Sequence, residues 1–216
     1  MRKLAPVYKI PRTRVVEREP ELLRLCTGKK VLHLGCADVP YTTERGDRLL
    51  HKQLALVTDR LWGIDSSDEG CALLREMGFE NILSGRLGDH SQAMYDEAFD
   101  IILAGEVIEH TDDPGGFLRE VNSAMRRETE LLLTTVNTPT FVGMAFALLG
   151  REKVHPDHNY YFSYRTLTTL VRKQDFDPLE IYYYANLNSP IDKLALPLKK
   201  VWPTAADGLI LRAKKK

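Results

Sequence analysis

The chain has few cysteines. Cys26, Cys36 and Cys71 are odd in number and lack the close spacing of a metal-binding cysteine pair. A disulfide framework or a zinc cluster is therefore not expected, and reduced thiols suit a cytoplasmic protein. Cys36 follows a glycine, and no neighbour in the sequence indicates a lowered thiol pKa, so we interpret it as a small residue that the turn tolerates.

The chain also lacks an excess of charge and a long hydrophobic run. Its 30 basic and 30 acidic side chains cancel, so nucleic acid is an unlikely partner. The most apolar segment, residues 140–150, is far shorter than the ~20 residues that cross a bilayer, and no transmembrane segment is expected. The N-terminal segment is charged throughout and lacks a long apolar core, so no signal peptide is expected. These absences favour a cytoplasmic protein with a small-molecule substrate, and they leave its oligomeric state open.

From about Lys30, short apolar segments alternate with longer amphipathic ones, which is typical of a parallel sheet with crossover helices. The pattern predicts strands at 30–34, 61–65, 81–84, 99–104, 130–136, 178–184 and 208–213. It predicts helices at 48–58, 68–77, 115–126 and 164–174. We divide the chain into a basic, helical lead-in at 1–28 and a single domain at 29–216, because 216 residues suffice for one well-packed α/β domain.

The first predicted strand ends in a turn that could approach a nucleotide. The segment VLHLGCAD at 31–38 contains Gly35, and the second strand closes at Asp65. In an α/β protein, such a glycine lets a ligand approach the backbone closely. A carboxylate at the end of the second strand can accept hydrogen bonds from both ribose hydroxyls. The turn has one glycine where a dinucleotide fingerprint has more, so a pyrophosphate ligand is poorly supported.

Four segments, in the right order, resemble the class I S-adenosylmethionine-dependent methyltransferases. They are VLHLGCAD at 31–38, LWGIDSS at 61–67, FDIILAGEVIEH at 99–110 and LLLTTVNTP at 131–139. The resemblance implies a Rossmann-like, doubly wound, mostly parallel seven-stranded sheet whose antiparallel last strand is inserted at the edge. It also implies methyl transfer from S-adenosylmethionine, with the cofactor near Gly35, Cys36, Ala37, Asp65, Ser66, Asp89 and Ala104.

Two positions depart from the pattern of that family. His33 stands where an acidic residue usually heads the first strand, and Arg86 stands where many members bind adenine with an aspartate. We therefore expect Asp89 or a backbone group to meet the adenine. The same departures support a different hypothesis, a catalytically inactive cofactor-fold protein that serves as a binding subunit.

Glu106, Glu109 and His110 follow the fourth predicted strand at the spacing i, i+3 and i+4. If this segment forms one helical turn, the three side chains meet on one face at the lip of the pocket. His110 could then act as general base toward a hydroxyl oxygen of a small-molecule acceptor. The alternative is that His110 holds the loop in place by a hydrogen bond.

A divalent metal is a further hypothesis for this motif. The layout resembles the small-RNA 3′-end ribose 2′-O-methyltransferases and the ubiquinone-pathway O-methyltransferases, which carry a Glu-x-x-Glu-His turn. We expect no metal; if one is bound, that resemblance makes Glu106, Glu109 and His110 its ligands, with His155 or His158 as the fourth. An RNA 3′-end ribose methyltransferase is therefore an alternative function, and a loop-lining role is the alternative for the two later histidines.

Residues 139–162 are interpreted as an apolar lid or core helix followed by a loop, with weak membrane-surface contact as the alternative. An apolar lid would suit an apolar or aromatic acceptor. The aromatic residues after His158 could add a wall to the substrate pocket; they are Tyr160, Tyr161, Phe162 and Tyr164.

Overall fold

The computed structural model describes residues 6–152, 154–187 and 190–216. Its strands are β1 (Val15–Glu17), β2 (Lys30–Leu34), β3 (Arg60–Asp65), β4 (Ile82–Ser84), β5 (Ile101–Gly105), β6 (Glu130–Val136), β7 (Phe176–Ala185) and β8 (Gly208–Lys215). Its α-helices are α1 (Arg18–Cys26), α2 (Thr42–Arg45), α3 (Leu50–Ala55), α4 (Asp68–Glu76), α5 (Ser91–Glu97), α6 (Pro114–Ala124), α7 (Phe141–Leu148), α8 (Tyr164–Lys173) and α9 (Pro190–Val201).

The strands of the described residues form one sheet in the order β1-β7-β8-β6-β5-β2-β3-β4. Only β8 is antiparallel to its neighbours, β6 and β7. The predicted α/β class, the mostly parallel sheet and the inserted antiparallel last strand are confirmed. The sheet has eight strands instead of seven, because the lead-in contributes β1. Strand order reverses between β2 and β5, which places a ligand crevice at their carboxyl ends.

Alternate residues of the central strands supply two apolar clusters, one on each face of the sheet. On one face, Leu32 and Ile102 pack with residues of α5, α6 and α8. On the other face, Val31 and Leu103 pack with residues of α1 and α3. Helices on both faces of a largely parallel sheet bury its strands almost completely, which explains why β5 reads as a continuous apolar run.

The lead-in predicted at 1–28 is partly integrated in this domain. Val15 of β1 pairs in parallel with Tyr183 of β7, and Leu22 and Cys26 of α1 are fully buried. Residues 1–5 of the predicted arm lie outside the described residues. The sequence pattern missed β1 because a three-residue edge strand is too short to show an alternating period.

The four predicted helices are present, and two of them begin with side-chain caps. The Asp113 side chain accepts from Gly116 N before α6, and Ser163 and Thr166 form a capping box at α8. Helices α2, α5 and α9 were not predicted. In α9, Pro197 lies inside the helix, although proline usually ends one.

Helix α7 is almost wholly apolar, yet it has no buried residue, and Leu148 is 88% exposed. The core-helix interpretation of this segment is therefore wrong. Lys153, within the predicted lid, lies outside the described residues. Across the described part of the chain, no helix has the length and apolar character needed to span a membrane.

Candidate active site

A cleft of about 1330 Å³ opens at the carboxyl ends of β2, β3 and β5. It brings together residues that are far apart in the sequence. Most of the predicted site residues line it: Gly35, Cys36, Ala37, Asp65, Ser66, Glu106, His110, His155 and His158. Ala104, Asp89 and Glu109 are not among its lining residues.

The turn after β2 requires glycine at position 35 for two reasons. Gly35 has a φ of +67°, a conformation that side-chain-bearing residues rarely adopt. A Cβ atom at this position would lie 2.5 Å from Cγ2 of Val107, which is too close for any real contact. The loop after β5 therefore packs directly on the Gly35 turn.

Asp65 ties the end of β3 to the same turn. Its Oδ2 accepts from Ala37 N at 2.9 Å, and its Oδ1 accepts from Ser67 N at 2.9 Å. Burial raises the pKa of the Asp65 carboxyl, and the backbone donors oppose that rise. Each oxygen still has a lone pair free to accept from a ribose hydroxyl, so the carboxylate fits the nucleoside part of the cofactor.

We expect Asp65→Asn to weaken cofactor binding by ~1 to 3 kcal/mol, because an amide nitrogen cannot accept from a ribose hydroxyl or from a backbone N–H. Calorimetric titration with S-adenosylhomocysteine measures this loss. Asp59→Asn is the matched control, since exposed Asp59 precedes the opposite end of β3. An unchanged dissociation constant for Asp65→Asn would remove this carboxylate from the cofactor site.

Asp89, one of the groups expected to meet the adenine, does not line the cleft. Asp89 Oδ2 accepts from Arg86 N at 3.1 Å, so it closes a local turn. Arg86 itself lines the cleft, and its Nη2 lies 2.5 Å from Glu120 Oε1. Ala104 is fully buried in β5, where it pairs with Leu34. It supports the cleft floor and does not form its surface.

Glu106 projects into the cleft from an unusual backbone conformation, with a φ of +56°. Its Oε2 lies 3.4 Å from Arg18 Nη2, and its Oε1 accepts from the Tyr184 hydroxyl at 2.6 Å. Burial disfavours its charged form, but Arg18, the Tyr184 hydroxyl and the nearby His158 and His110 together favour it more, and the pKa of Glu106 is lowered. Glu106 is therefore ionised at neutral pH.

Glu109 lies in a different environment. It is fully buried, and its Oε1 accepts from Val136 N at 3.2 Å. Burial raises the pKa of Glu109 to about 7. The expectation that Glu106, Glu109 and His110 share one helical face is wrong. The helical segment is a single 3₁₀ turn over Ile108–His110, and the backbone of Glu106 has a left-handed conformation outside that turn.

His110 instead meets two histidines of the loop before α8. The candidate ligand atoms of His110, His155 and His158 all lie within 4.8 Å of one another. His110 Nδ1 is 3.1 Å from the Asp157 carbonyl oxygen. A carbonyl only accepts, so Nδ1 carries the proton and Nε2 of the neutral ring is left as the basic nitrogen.

The backbone of Glu109 holds this histidine loop in place. Its carbonyl oxygen accepts from Asn159 N at 2.8 Å and from Tyr160 N at 3.2 Å. Nδ1 of His158 is buried without a hydrogen-bond partner. Burial, together with the neighbouring His110 and His155, lowers the pKa of His158. The sequence predicted these histidines as alternatives, and the structure brings both to His110.

The predicted aromatic wall is wrong for the described cleft, because none of its four members lines it. Phe162 belongs to the hydrophobic core, and the Tyr160 hydroxyl donates to the Asp112 carbonyl. These side chains pack the loop against the domain.

Sequence reasoning also missed a buried histidine pair, of which one member, His33, lines the cleft. His33 Nδ1 and His51 Nδ1 are 3.2 Å apart, so one ring donates to the other, and the rings are stacked at 5.4 Å. Burial lowers the pKa of His33 well below its ordinary value and the pKa of His51 to about 4. His51 gave no signal in the sequence, because its partner lies on another element.

This pair should make the fold acid-sensitive. The unfolded chain binds more protons than the native one between the lowered and the ordinary histidine pKa, so stability falls as pH falls from about 6.5 to about 4. Between about pH 7.5 and about pH 5, we expect the wild type to lose ~2 kcal/mol more unfolding free energy than His51→Gln. Urea unfolding at both pH values measures this difference. Glu109 acts with the opposite sign, but it is present in both proteins. Equal losses of unfolding free energy in the two proteins would contradict the lowered pKa of His51.

Three comparisons relate the chain to known proteins. Residues 12–181 match a family model described as a methyltransferase domain. A ubiquinone biosynthesis O-methyltransferase of Rhodopseudomonas palustris (strain BisA53) is 29% identical over 164 residues, covering 70% of this chain and 61% of that protein. The chain thus spans about three fifths of the length of this relative.

Solved structures show the same fold at low sequence identity. An S-adenosylmethionine-dependent methyltransferase from Archaeoglobus fulgidus has a TM-score of 0.61 at 17% identity, covering 91% of this chain and 92% of that chain. A Haloferax volcanii putative methyltransferase, in complex with the activator Trm112, has a TM-score of 0.64 at 15% identity, covering 91% and 88%.

The sheet order, the glycine turn and the carboxylate at the end of β3 define a Rossmann-like fold with a crevice suited to a nucleoside. The family match covers most of the chain, and the chain belongs to the methyltransferase domain family.

Proposed function

We propose that the protein transfers the methyl group of S-adenosylmethionine to a hydroxyl oxygen of a small-molecule acceptor. The observation that carries the proposal is His110, which lines the cleft and whose Nδ1 lies 3.1 Å from the Asp157 carbonyl oxygen, so that Nε2 is the basic nitrogen of the neutral ring. The names of the relatives, ubiquinone biosynthesis O-methyltransferases, support oxygen as the acceptor atom.

The cofactor supplies an activated methyl group on a sulfonium, so the protein has to align the acceptor and remove a proton. The turn at Gly35 and the carboxylate of Asp65 hold the nucleoside end in this proposal. His110 stands beyond the end of β5, where the acceptor hydroxyl would approach. Its Nδ1–H bond to the Asp157 carbonyl fixes the ring and leaves Nε2 to accept the hydroxyl proton.

Transfer of isotope-labelled methyl from S-adenosylmethionine tests the proposal. The acceptors are small phenols and alcohols, matched amines of the same ring size, and a short RNA with a free 3′ end. Labelled ethers formed from the hydroxyl compounds support it, and their suppression by S-adenosylhomocysteine shows that they arise at the cofactor site. Label only in amines or only in RNA would overturn it.

The three-histidine cluster favours a second candidate, in which a divalent metal assists the same transfer. His110, His155 and His158 offer three nitrogen ligands, a number found in catalytic zinc sites that keep an open position. Glu106 and Glu109 do not join this group, so the ligand set differs from the sequence-based one.

If this metal supports turnover, we expect a chelator to abolish activity and an added divalent ion to restore it. His155→Ala should share the loss, because exposed His155 otherwise has no role beyond the loop. His90→Ala is the matched control, since His90 binds the Ser84 carbonyl and does not line the cleft. Full activity in chelator would leave His110 as a base without a metal.

A further inference from the structure

Glu106 is held by side chains from two other parts of the fold. Arg18 comes from the start of α1, and Tyr184 comes from the end of β7. Arg18 also donates from Nε to Thr134 Oγ1 of β6 at 3.1 Å, which fixes the guanidinium. The carboxylate is therefore oriented by donors that are themselves anchored to the sheet.

Two glycines make room for these donors. A Cβ at Gly105 would lie 2.9 Å from Arg18 Nη2, and a Cβ at Gly208 would lie 2.0 Å from Cζ of Tyr184. A larger residue at either position would displace one of the groups that contact Glu106. The position of Glu106 thus depends on these two glycines, one in β5 and one in β8, as well as on the side chains of Arg18 and Tyr184.

The cluster carries more negative than positive charge. Arg18 is the only cation in contact with Glu106 among the described ion pairs, and its Nη1 also lies 3.2 Å from Glu19 Oε1. One guanidinium thus faces two carboxylates, and the Tyr184 hydroxyl is neutral. Both carboxylates line the cleft, so an excess of negative charge faces any molecule bound there.

The position of Glu106 places this charge in the cleft, where β5 and the neighbouring β2 end. Glu106 directly follows β5, and the next residue, Val107, packs on the Gly35 turn of the neighbouring β2. We propose that Arg18 and Tyr184 are positioning residues that hold Glu106 as a fixed anion, and that this anion makes the cleft prefer the sulfonium of S-adenosylmethionine over the neutral thioether of S-adenosylhomocysteine.

The physical basis is a difference of one charge between the two ligands. The methyl donor carries a positive sulfur, and the demethylated product does not, while their other groups are identical. A preoriented carboxylate whose side chain is only 33% exposed attracts that charge without having to reorganise. The same attraction disappears when the methyl group has left, which favours release of the product.

Calorimetric titration of the whole protein with each ligand, in the presence of chelator, tests this inference without any acceptor. We expect Tyr184→Phe and Glu106→Gln to weaken S-adenosylmethionine binding by about tenfold and S-adenosylhomocysteine binding by less than about twofold. Tyr182→Phe is the matched control, because Tyr182 is a buried tyrosine of the same strand whose hydroxyl donates to Glu21 at 2.8 Å.

A change in the affinity ratio for Tyr184→Phe, with the ratio of Tyr182→Phe unchanged, supports the proposal. If Tyr184 has only a structural role, Tyr184→Phe should weaken the binding of both ligands equally, and that result would overturn the proposal. Equal ratio changes in both tyrosine variants also overturn it. If Glu106→Gln does not fold, Tyr184→Phe decides alone, since it removes one hydroxyl and retains the ring. If no hydroxyl compound is methylated, the proposed function is wrong, but the ratio of the affinities for the two ligands still tests this inference.

Discussion

Replacement of His110 by alanine is expected to lower turnover by ~10² to 10⁴ while cofactor affinity stays nearly constant. The hydroxyl of an acceptor is a poor nucleophile until its proton is removed, and His110 Nε2 is the basic nitrogen that the loop geometry leaves available. The change removes no group from the Gly35 turn or from Asp65, so the cofactor should still bind. Single-turnover methyl transfer and calorimetric titration measure the two quantities separately.

His90→Ala serves as the control for losing a histidine elsewhere in the fold. Added imidazole should restore part of the activity of His110→Ala, because it can occupy the space of the missing ring and accept the proton. A purely loop-holding His110 predicts no such rescue. Wild-type turnover in the alanine variant would exclude His110 as base and as metal ligand.

Gly35→Val is expected to abolish measurable cofactor binding, with an affinity loss of more than ~100-fold. Valine at a φ of +67° is strained, and its Cβ would meet the Val107 side chain at 2.5 Å. To relieve that contact, the turn after β2 and the loop after β5 must separate, which disturbs both sides of the cleft. Titration with S-adenosylhomocysteine measures the loss.

Gly28→Val separates backbone strain from the steric contact. Gly28 has a φ of +66°, but a Cβ there would meet nothing within 4 Å, and it does not line the cleft. Both variants should lose stability from the strained backbone, and only Gly35→Val should lose the cofactor. Tight binding by folded Gly35→Val would place the cofactor away from this turn.

Residues close together in the sequence predicted much of the fold. Strands β2 and β6 have the predicted bounds, because a continuous apolar run bounded by polar residues is a local signal. The capping box of Ser163 is equally local. The bounds of β1 and the existence of α9 depended on pairing and packing with distant residues, which a local pattern does not carry.

The candidate site likewise combines residues that the local sequence predicted with residues that only the tertiary structure brings together. Gly35 and Asp65 were predicted from their places at strand ends, and both line the cleft. Glu109 was predicted to face it, but the backbone turns away from a regular helix after Glu106 and buries that side chain. Arg18, His51 and Tyr184 came to the site from distant elements, and no spacing in the sequence relates them to it.

The sequence by itself predicted an α/β sheet from its strand signals and a nucleotide pocket from the glycine turn and the carboxylate, and four of its segments resemble the S-adenosylmethionine-dependent methyltransferases. Only the tertiary structure decided how the acidic and basic groups are used. Glu106 and Glu109 are three residues apart, yet one is ionised against Arg18 and Tyr184 and the other has its pKa raised to about 7 by burial. The charge state of a side chain depends on desolvation and on neighbours in space, and folding alone supplies both.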